Sequence, residues 1–350
     1  MIRSVFHRNL MRCALTMSLL ASSGQAIASD QNAECQYHID LEYQLNMPIY
    51  HWAPKGDPKG VVLAMHGLVM HGTTYDELGK ALADEGFLVY ATDMRGYGRL
   101  TKEYPHEFCA SKDCKQKINY NKSSNDLLQL AERIKADHKS LPLYIIGESM
   151  GADMAIRVAS TRPEVVDGLV LSAPAIRAHA FVDRSTVMNI PYLMANWQKQ
   201  LDLMPYVKRY ASRDPKIVTE LSKDPLLRRH MDTYELYRSR RCINQTLAYV
   251  PNISADKPVL VLQAKDDRCV RADAVPSLMS KLKSRDQQVR WFDDRGHILI
   301  ETAHIRPDTM ETIVSWLNSH NNVLKRAAIQ SPAVDELISE TPPSQNNRND

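Results

Sequence analysis

Beyond its first 28 residues the chain has no apolar stretch long enough to read as a transmembrane helix. It also lacks net charge there. The full chain holds 44 Lys and Arg against 41 Asp and Glu, and Arg3, Arg8 and Arg12 account for the excess. Global charge therefore gives no support to nucleic-acid binding, and no nucleic-acid partner is expected. The six cysteines show no zinc-type spacing, so no metal and no cofactor is expected. There is no internal repeat, and no protein partner is inferred.

What is present begins with a leader. Arg3, Arg8 and Arg12 form a positive start, Cys13 to Ala21 is a short apolar run, and Ala26-Ile27-Ala28 is a small-x-small cleavage site. Residues 1–28 thus read as a signal peptide, with an uncleaved anchor as the competing reading. The expected product is an exported protein, periplasmic or secreted, starting at Ser29. Its remaining length suits one large α/β domain with an insertion, or two small domains. Five cysteines survive cleavage. Cys109 and Cys114 are close together in a polar loop and are the expected disulfide; the odd count leaves a free thiol.

Strand and helix patterns alternate along residues 60 to 174. Gly60 to Met65, Phe87 to Thr92, Leu143 to Ile146 and Val166 to Leu171 are apolar runs of strand length. Helical spacing appears between them, as in Leu78, Ala81 and Leu82, and in Leu127, Leu130, Ala131 and Ile134. That alternation predicts a mostly parallel sheet with helices on both faces. Gln36 to Ile49 reads instead as an antiparallel hairpin at a sheet edge, and Thr74 with Glu77 as a capping box. Residues 175–255 show helices and loops with no clear strand. Val259 to Leu262 and Val289 to Phe292 restore the strand pattern. A helix over Ala272 to Leu282 falls between them, and one over Asp308 to Leu317, N-capped by Asp308, closes the fold. From Ala327 to Asp350 the composition is that of a disordered tail.

The chemistry is concentrated at Gly147-Glu-Ser149-Met-Gly151. The string fits G-x-S-x-G between a strand and a helix, a turn that projects a serine hydroxyl from the C-terminal edge of a sheet. A serine needs a histidine as base, and the histidine needs a carboxylate to fix its tautomer. Later strands end in both: Asp266-Asp267, then His297 within Asp294-Arg-Gly-His. Chemistry alone does not choose between Asp266 and Asp267. His304 reads as a packed or surface residue. His66 reads as ordering the loop beside it. A tetrahedral oxyanion needs two backbone donors, expected at Met150, which follows the serine, and at Leu68, after the first parallel strand.

These motifs together resemble the α/β-hydrolase superfamily, and within it the monoacylglycerol lipase and lysophospholipase group, which is also classed with serine aminopeptidase-like hydrolases. His66-Gly67, Asp93-Met-Arg-Gly-Tyr-Gly98, Gly147 to Gly151, Asp224-Pro-Leu, Ala264-Lys-Asp-Asp267 and Gly296-His297 carry the resemblance. It departs from the usual pattern at Ala264, where glycine is usual. The resemblance implies an α/β-hydrolase fold, with residues 29–174 and 256–326 as the core and 175–255 as a helical cap. It also implies Ser149, Asp267 and His297 as the triad.

In the cap, Met188, Leu193 and Trp197, with Ile190, Tyr192 and Met194, form an expected acyl-chain wall; the alternative is the cap's own small core. Residues 207–241 hold ten Lys and Arg against five Asp and Glu. That set reads as a solvated helical face or as a peripheral contact with anionic lipid head groups. The expected enzyme is a serine ester hydrolase acting on single-chain lipid esters. The alternatives are a short-chain esterase, thioesterase or aminopeptidase-type hydrolase, and a non-catalytic binding protein on the same fold.

Overall fold

The computed structural model describes residues 34–101, 117–179 and 197–330, the side chains of 322–330 excepted. The leader, Cys109 and Cys114, Met188 and Leu193 of the expected acyl wall, and residues 331–350 lie outside the described residues. Eight strands form one sheet in the order β1-β2-β4-β3-β5-β6-β9-β10. They are β1 (Gln36–Tyr37), β2 (Ile49–Trp52), β3 (Gly60–Met65), β4 (Phe87–Thr92), β5 (Leu143–Glu148), β6 (Gly168–Ser172), β9 (Val259–Ala264) and β10 (Gln287–Phe292). All neighbours from β4 to β10 pair in parallel, and β1 and β2 make the antiparallel edge.

Alternation along the central strands divides the core in two. Val61, Leu63 and Met65 of β3 and Leu143 and Ile145 of β5 face one apolar cluster; Val62, Ala64, Tyr144 and Ile146 face the other. This is the period-two geometry of a strand buried on both faces. Helices α3 (Tyr120–Asp137) and α4 (Met150–Thr161) cover the first face through Leu127, Leu130, Met154 and Ala155. Helices α2 (Asp76–Asp84) and α8 (Pro307–Gln330) cover the second through Leu78, Leu82, Ile313 and Trp316.

Several local expectations are corrected. Between β1 and β2 the chain forms helix α1 (Ile39–Leu45) rather than a simple hairpin. Apolar residues at Leu41 and Leu45 suit a helical turn, the His38 ring caps Leu41 N, and Asn46 ends the helix in the left-handed conformation. The carboxylate of Glu42 then accepts from Ile49 N at 2.8 Å, which returns the chain to the sheet edge. The Thr74–Glu77 capping box does not form. A 3₁₀ turn, Gly72–Tyr75, leads into α2, and the Thr74 hydroxyl donates to the His71 carbonyl instead. Asp308 lies inside the first turn of α8, after Pro307, and is bonded to Arg295. Proline suits that first position because its missing N–H has no partner there anyway. The helix expected over Ala272 to Leu282 is shorter, a 3₁₀ turn followed by α7 (Val275–Met279). Helix α8 in turn extends to Gln330, past the point where composition marked a tail.

The insertion after β6 contains α5 (Pro215–Lys223) and α6 (Thr233–Tyr249). It also contains strands, contrary to the sequence reading: β7 (Gln200–Asp202) and β8 (His230–Asp232) pair antiparallel. Asp232 and Glu235 form a reciprocal capping box that starts α6 directly after β8. No helix of the described residues is long and apolar enough to cross a membrane.

Candidate active site

Ser149 stands between the last residue of β5 and the first of α4, with φ 56° and ψ −115°. Such a backbone costs about 1–3 kcal/mol for a residue with a side chain, so the surroundings must impose it. They do so by close approach. A Cβ on Gly151 would lie 1.7 Å from the Met65 carbonyl oxygen, and one on Gly147 would lie 2.4 Å from the Gly151 carbonyl carbon. Only glycine lets the turn pack this tightly against β3. Chain order reverses here, since β4 lies on one side of β3 and β5 on the other. The crevice at such a switch point is where parallel sheets bind ligands.

Asp267 and His297 follow β9 and β10. Asp267 Oδ2 lies 2.7 Å from His297 Nδ1. Its other oxygen accepts from Cys269 N and Val270 N at 2.8 and 2.9 Å. Burial opposes ionisation of Asp267, but the His297 charge and these hydrogen bonds outweigh it and hold the carboxyl below its ordinary range. Burial likewise opposes a charged His297, and the Asp267 charge and hydrogen bond overcome it and raise the ring's pKa. The histidine turn is anchored from two sides. His297 N and Ile298 N both donate to the Ala211 carbonyl, and the buried Arg295 stacks on Phe292 and bonds to Asp308 and Thr309. Asp266 points elsewhere: its carboxylate is half exposed and pairs with Arg213 at 3.1 Å. His304 is exposed.

Ser149, His297, Leu68 and Met150 line one cavity of about 640 Å³. Met150 opens α4, where backbone N–H groups have no helical acceptor. His66 does not face this cavity. Its Nε2 accepts from Met94 N at 2.9 Å and its Nδ1 donates to the Gly67 carbonyl at 2.8 Å. Burial lowers its pKa to about 4, against the charge of Asp93, so it is a neutral brace rather than a base. Asp93 is a structural tie as well, accepting from Tyr50 Oη, Gly72 N and Arg99 N.

The rest of the cavity wall is mostly apolar, with Val69, Met70, Leu203, Val207, Leu236 and Ile243 prominent. Trp197 does not contribute to it. It is 58% exposed and packs edge-on against Tyr234, with ring centres 5.7 Å apart. The apolar lining of the described residues therefore comes from the loop after β3, the segments around β7 and α6, not from Trp197. A second cavity of about 630 Å³, lined by Arg177, Arg213 and Arg268 among others, touches Asp267 but neither Ser149 nor His297.

Two arginines of the basic run are tied into the fold. Arg228 donates to the Gly96 carbonyl and pairs with Glu235, and Arg229 donates to the Ser222 carbonyl at 2.7 Å. Both side chains are half-buried and spend hydrogen bonds inside the fold. Arg228 N bonds to the Val69 carbonyl, and Asp224 Oδ2 lies 2.7 Å from His71 Nε2. These contacts fasten the insertion to the loop that carries Leu68.

Two buried acids escaped the sequence reading. Glu148 accepts from Ser172 Oγ at 2.6 Å and from the amides of Leu299 and Glu301 at 2.9 and 3.0 Å. Glu301 accepts from Gly67 N at 2.8 Å. The one available signal was an acid inside the G-x-S-x-G string. Among the described residues, Cys35, Cys242 and Cys269 are free thiols.

A family model described as serine aminopeptidase, S33, matches residues 56–302. The chain belongs to this hydrolase family. The monoacylglycerol lipase of Mycolicibacterium smegmatis is 24% identical over 271 residues, covering 77% of this chain and 91% of that protein. Human monoglyceride lipase is 26% identical over 270 residues, covering 77% of this chain and 85% of that one. Among solved structures, a soluble variant of the Saccharomyces cerevisiae monoglyceride lipase, in complex with a substrate analogue, matches with a TM-score of 0.65 at 18% identity. That match covers 85% of this chain and 99% of the yeast one, and it supports the α/β-hydrolase fold of this S33-family hydrolase.

Proposed function

We propose that this S33-family hydrolase cleaves single-chain lipid esters of the monoacylglycerol type through an acyl-enzyme on Ser149. The observation that carries the reading is the mostly apolar cavity shared by Ser149 and His297. In this reading His297 takes the proton of Ser149 Oγ as the oxygen attacks the acyl carbonyl, and Asp267 stabilises the imidazolium. The amides of Leu68 and Met150 receive the oxyanion. The leaving glycerol oxygen takes the proton back from His297, and a water then repeats the sequence to release the fatty acid. The similarity to two monoacylglycerol lipases supports this substrate over a thioester or an aminoacyl amide.

Chain-length dependence tests the substrate. Each methylene buried in the cavity should add about 0.8 kcal/mol. Four of them give about 3 kcal/mol, or roughly a hundredfold in kcat/KM from acetyl to hexanoyl glycerol. Leu236→Trp should fill the cavity and flatten that rise, whereas Trp197→Ala should leave it in place. A preference for acetyl esters or aminoacyl amides, indifferent to Leu236→Trp, would overturn the lipid reading.

We also propose export, on the strength of the leader pattern in residues 1–28. N-terminal sequencing of protein recovered outside the cytoplasm should begin at Ser29. A chain that retains Met1 would contradict it.

A further inference from the structure

We propose that Glu301 is a positioning residue that works as a neutral carboxylic acid, bracing the oxyanion turn through Gly67 while Glu148 carries the single negative charge of the pair. The two side chains join the three segments on which the site depends. Glu148 sits inside the nucleophile turn and holds the histidine turn by the amides of Leu299 and Glu301. Glu301 sits in the histidine turn and holds the oxyanion turn by Gly67 N. Both are essentially unexposed, and no ion pair of the described residues includes either.

Counting donors assigns the charge. Glu148 accepts from one hydroxyl and two well-placed amides, with a third amide, Ile300 N, at 3.3 Å. Glu301 has one good donor. Thr74 Oγ1 lies 3.4 Å away, but its hydrogen is already used on the His71 carbonyl at 2.6 Å. Among the described residues Glu301 Oε2 is buried without a hydrogen-bond partner, a position that costs an ionised oxygen more than a protonated one. A Cβ built on Gly67 would lie 2.8 Å from that oxygen and 3.3 Å from Ser149 Cβ, so the acid and the nucleophile both pack against Gly67 of the oxyanion turn. The titratable groups around it are Glu148 and Tyr75, with His297 lining the same cavity and His71 supplying the carbonyl that Thr74 holds. Tyr75 is bonded to the Met65 carbonyl and to Glu148 N, and His71 to Asp224. Burial raises both carboxyls; at Glu148 the Ser172 hydroxyl, the His297 charge and the amides of Leu299 and Glu301 offset it in part, whereas at Glu301 burial and the Glu148 charge together push the carboxyl well above its ordinary range. If Glu301 ionised, a second negative charge would stand behind the turn meant to stabilise a developing anion.

This inference rests on the serine-hydrolase reading, and the experiment separates the two. We would measure kcat and KM for p-nitrophenyl butyrate from neutral to alkaline pH in wild type, Glu301→Gln, Glu301→Ala and Ser149→Ala. Glutamine keeps a neutral acceptor for Gly67 N, so Glu301→Gln should retain wild-type kcat at neutral pH and lose the alkaline decline. Glu301→Ala should lower kcat roughly tenfold or more with a smaller change in KM. Infrared difference spectra should show a protonated carboxylic acid band at neutral pH that disappears as kcat falls and is missing from Glu301→Gln, which separates it from the buried Asp153. An inactive Ser149→Ala combined with equal damage from Gln and Ala, an alkaline decline unchanged by Gln, or no acid band would overturn the role of Glu301 alone. An active Ser149→Ala would overturn the serine reading.

Discussion

Ser149→Ala should reduce ester hydrolysis by about 10⁶-fold in kcat, the scale on which serine hydrolases respond to loss of the nucleophile. The substitution removes one oxygen and keeps the Cβ that the turn already accommodates. The unusual backbone there, φ 56°, is imposed by Gly147, Gly151 and the packing of α4 on β3 rather than by the hydroxyl. The melting temperature should therefore stay close to that of wild type. Purified Ser149→Ala with wild-type turnover would remove the basis of the mechanism.

Asp267→Asn should lower kcat by about 10⁴-fold, because an amide cannot select the histidine tautomer that accepts the serine proton. Asp266→Asn should change little, since its carboxylate is half exposed and bonded to Arg213. The pH profile gives a second readout. Protonated His297 is inactive, and its raised pKa places the acid limb of wild-type kcat/KM above the ordinary histidine value of about 6.5. Asp267, held low, stays ionised across that limb. Without its charge, burial dominates and favours the neutral ring, so the limb should move to lower pH in the Asn variant. A large loss at Asp266 instead would transfer the acid to that residue.

The sheet and the order of site residues were legible because the central strands are short apolar runs, each followed by its own loop. Ser149, Asp267 and His297 each sit just beyond a strand end, where spacing alone suggests a site. Helix α1 was hidden because residues 36–49 satisfy both a two-residue and a helical period over so short a span. The Glu148–Glu301 pair was hidden for a different reason. Glu301 N reaches Glu148 across 153 residues, and an isolated acid after a histidine carries no local pattern. The insertion was least legible. Its apolar residues have the same composition whether they line a cavity or face outward, and Trp197 faces outward. The arginines there looked like a surface charge. The carbonyls that hold Arg228 and Arg229 become apparent only once the chain has folded.

The most direct test is covalent capture of the nucleophile. The enzyme would be treated with a long-chain alkyl fluorophosphonate, with and without excess monoacylglycerol, and analysed by intact mass and peptide mapping. One phosphonyl group per chain is expected, on the peptide containing Ser149, formed more slowly when the lipid competes. No adduct, or an adduct on another residue with Ser149 unmodified, would contradict the account.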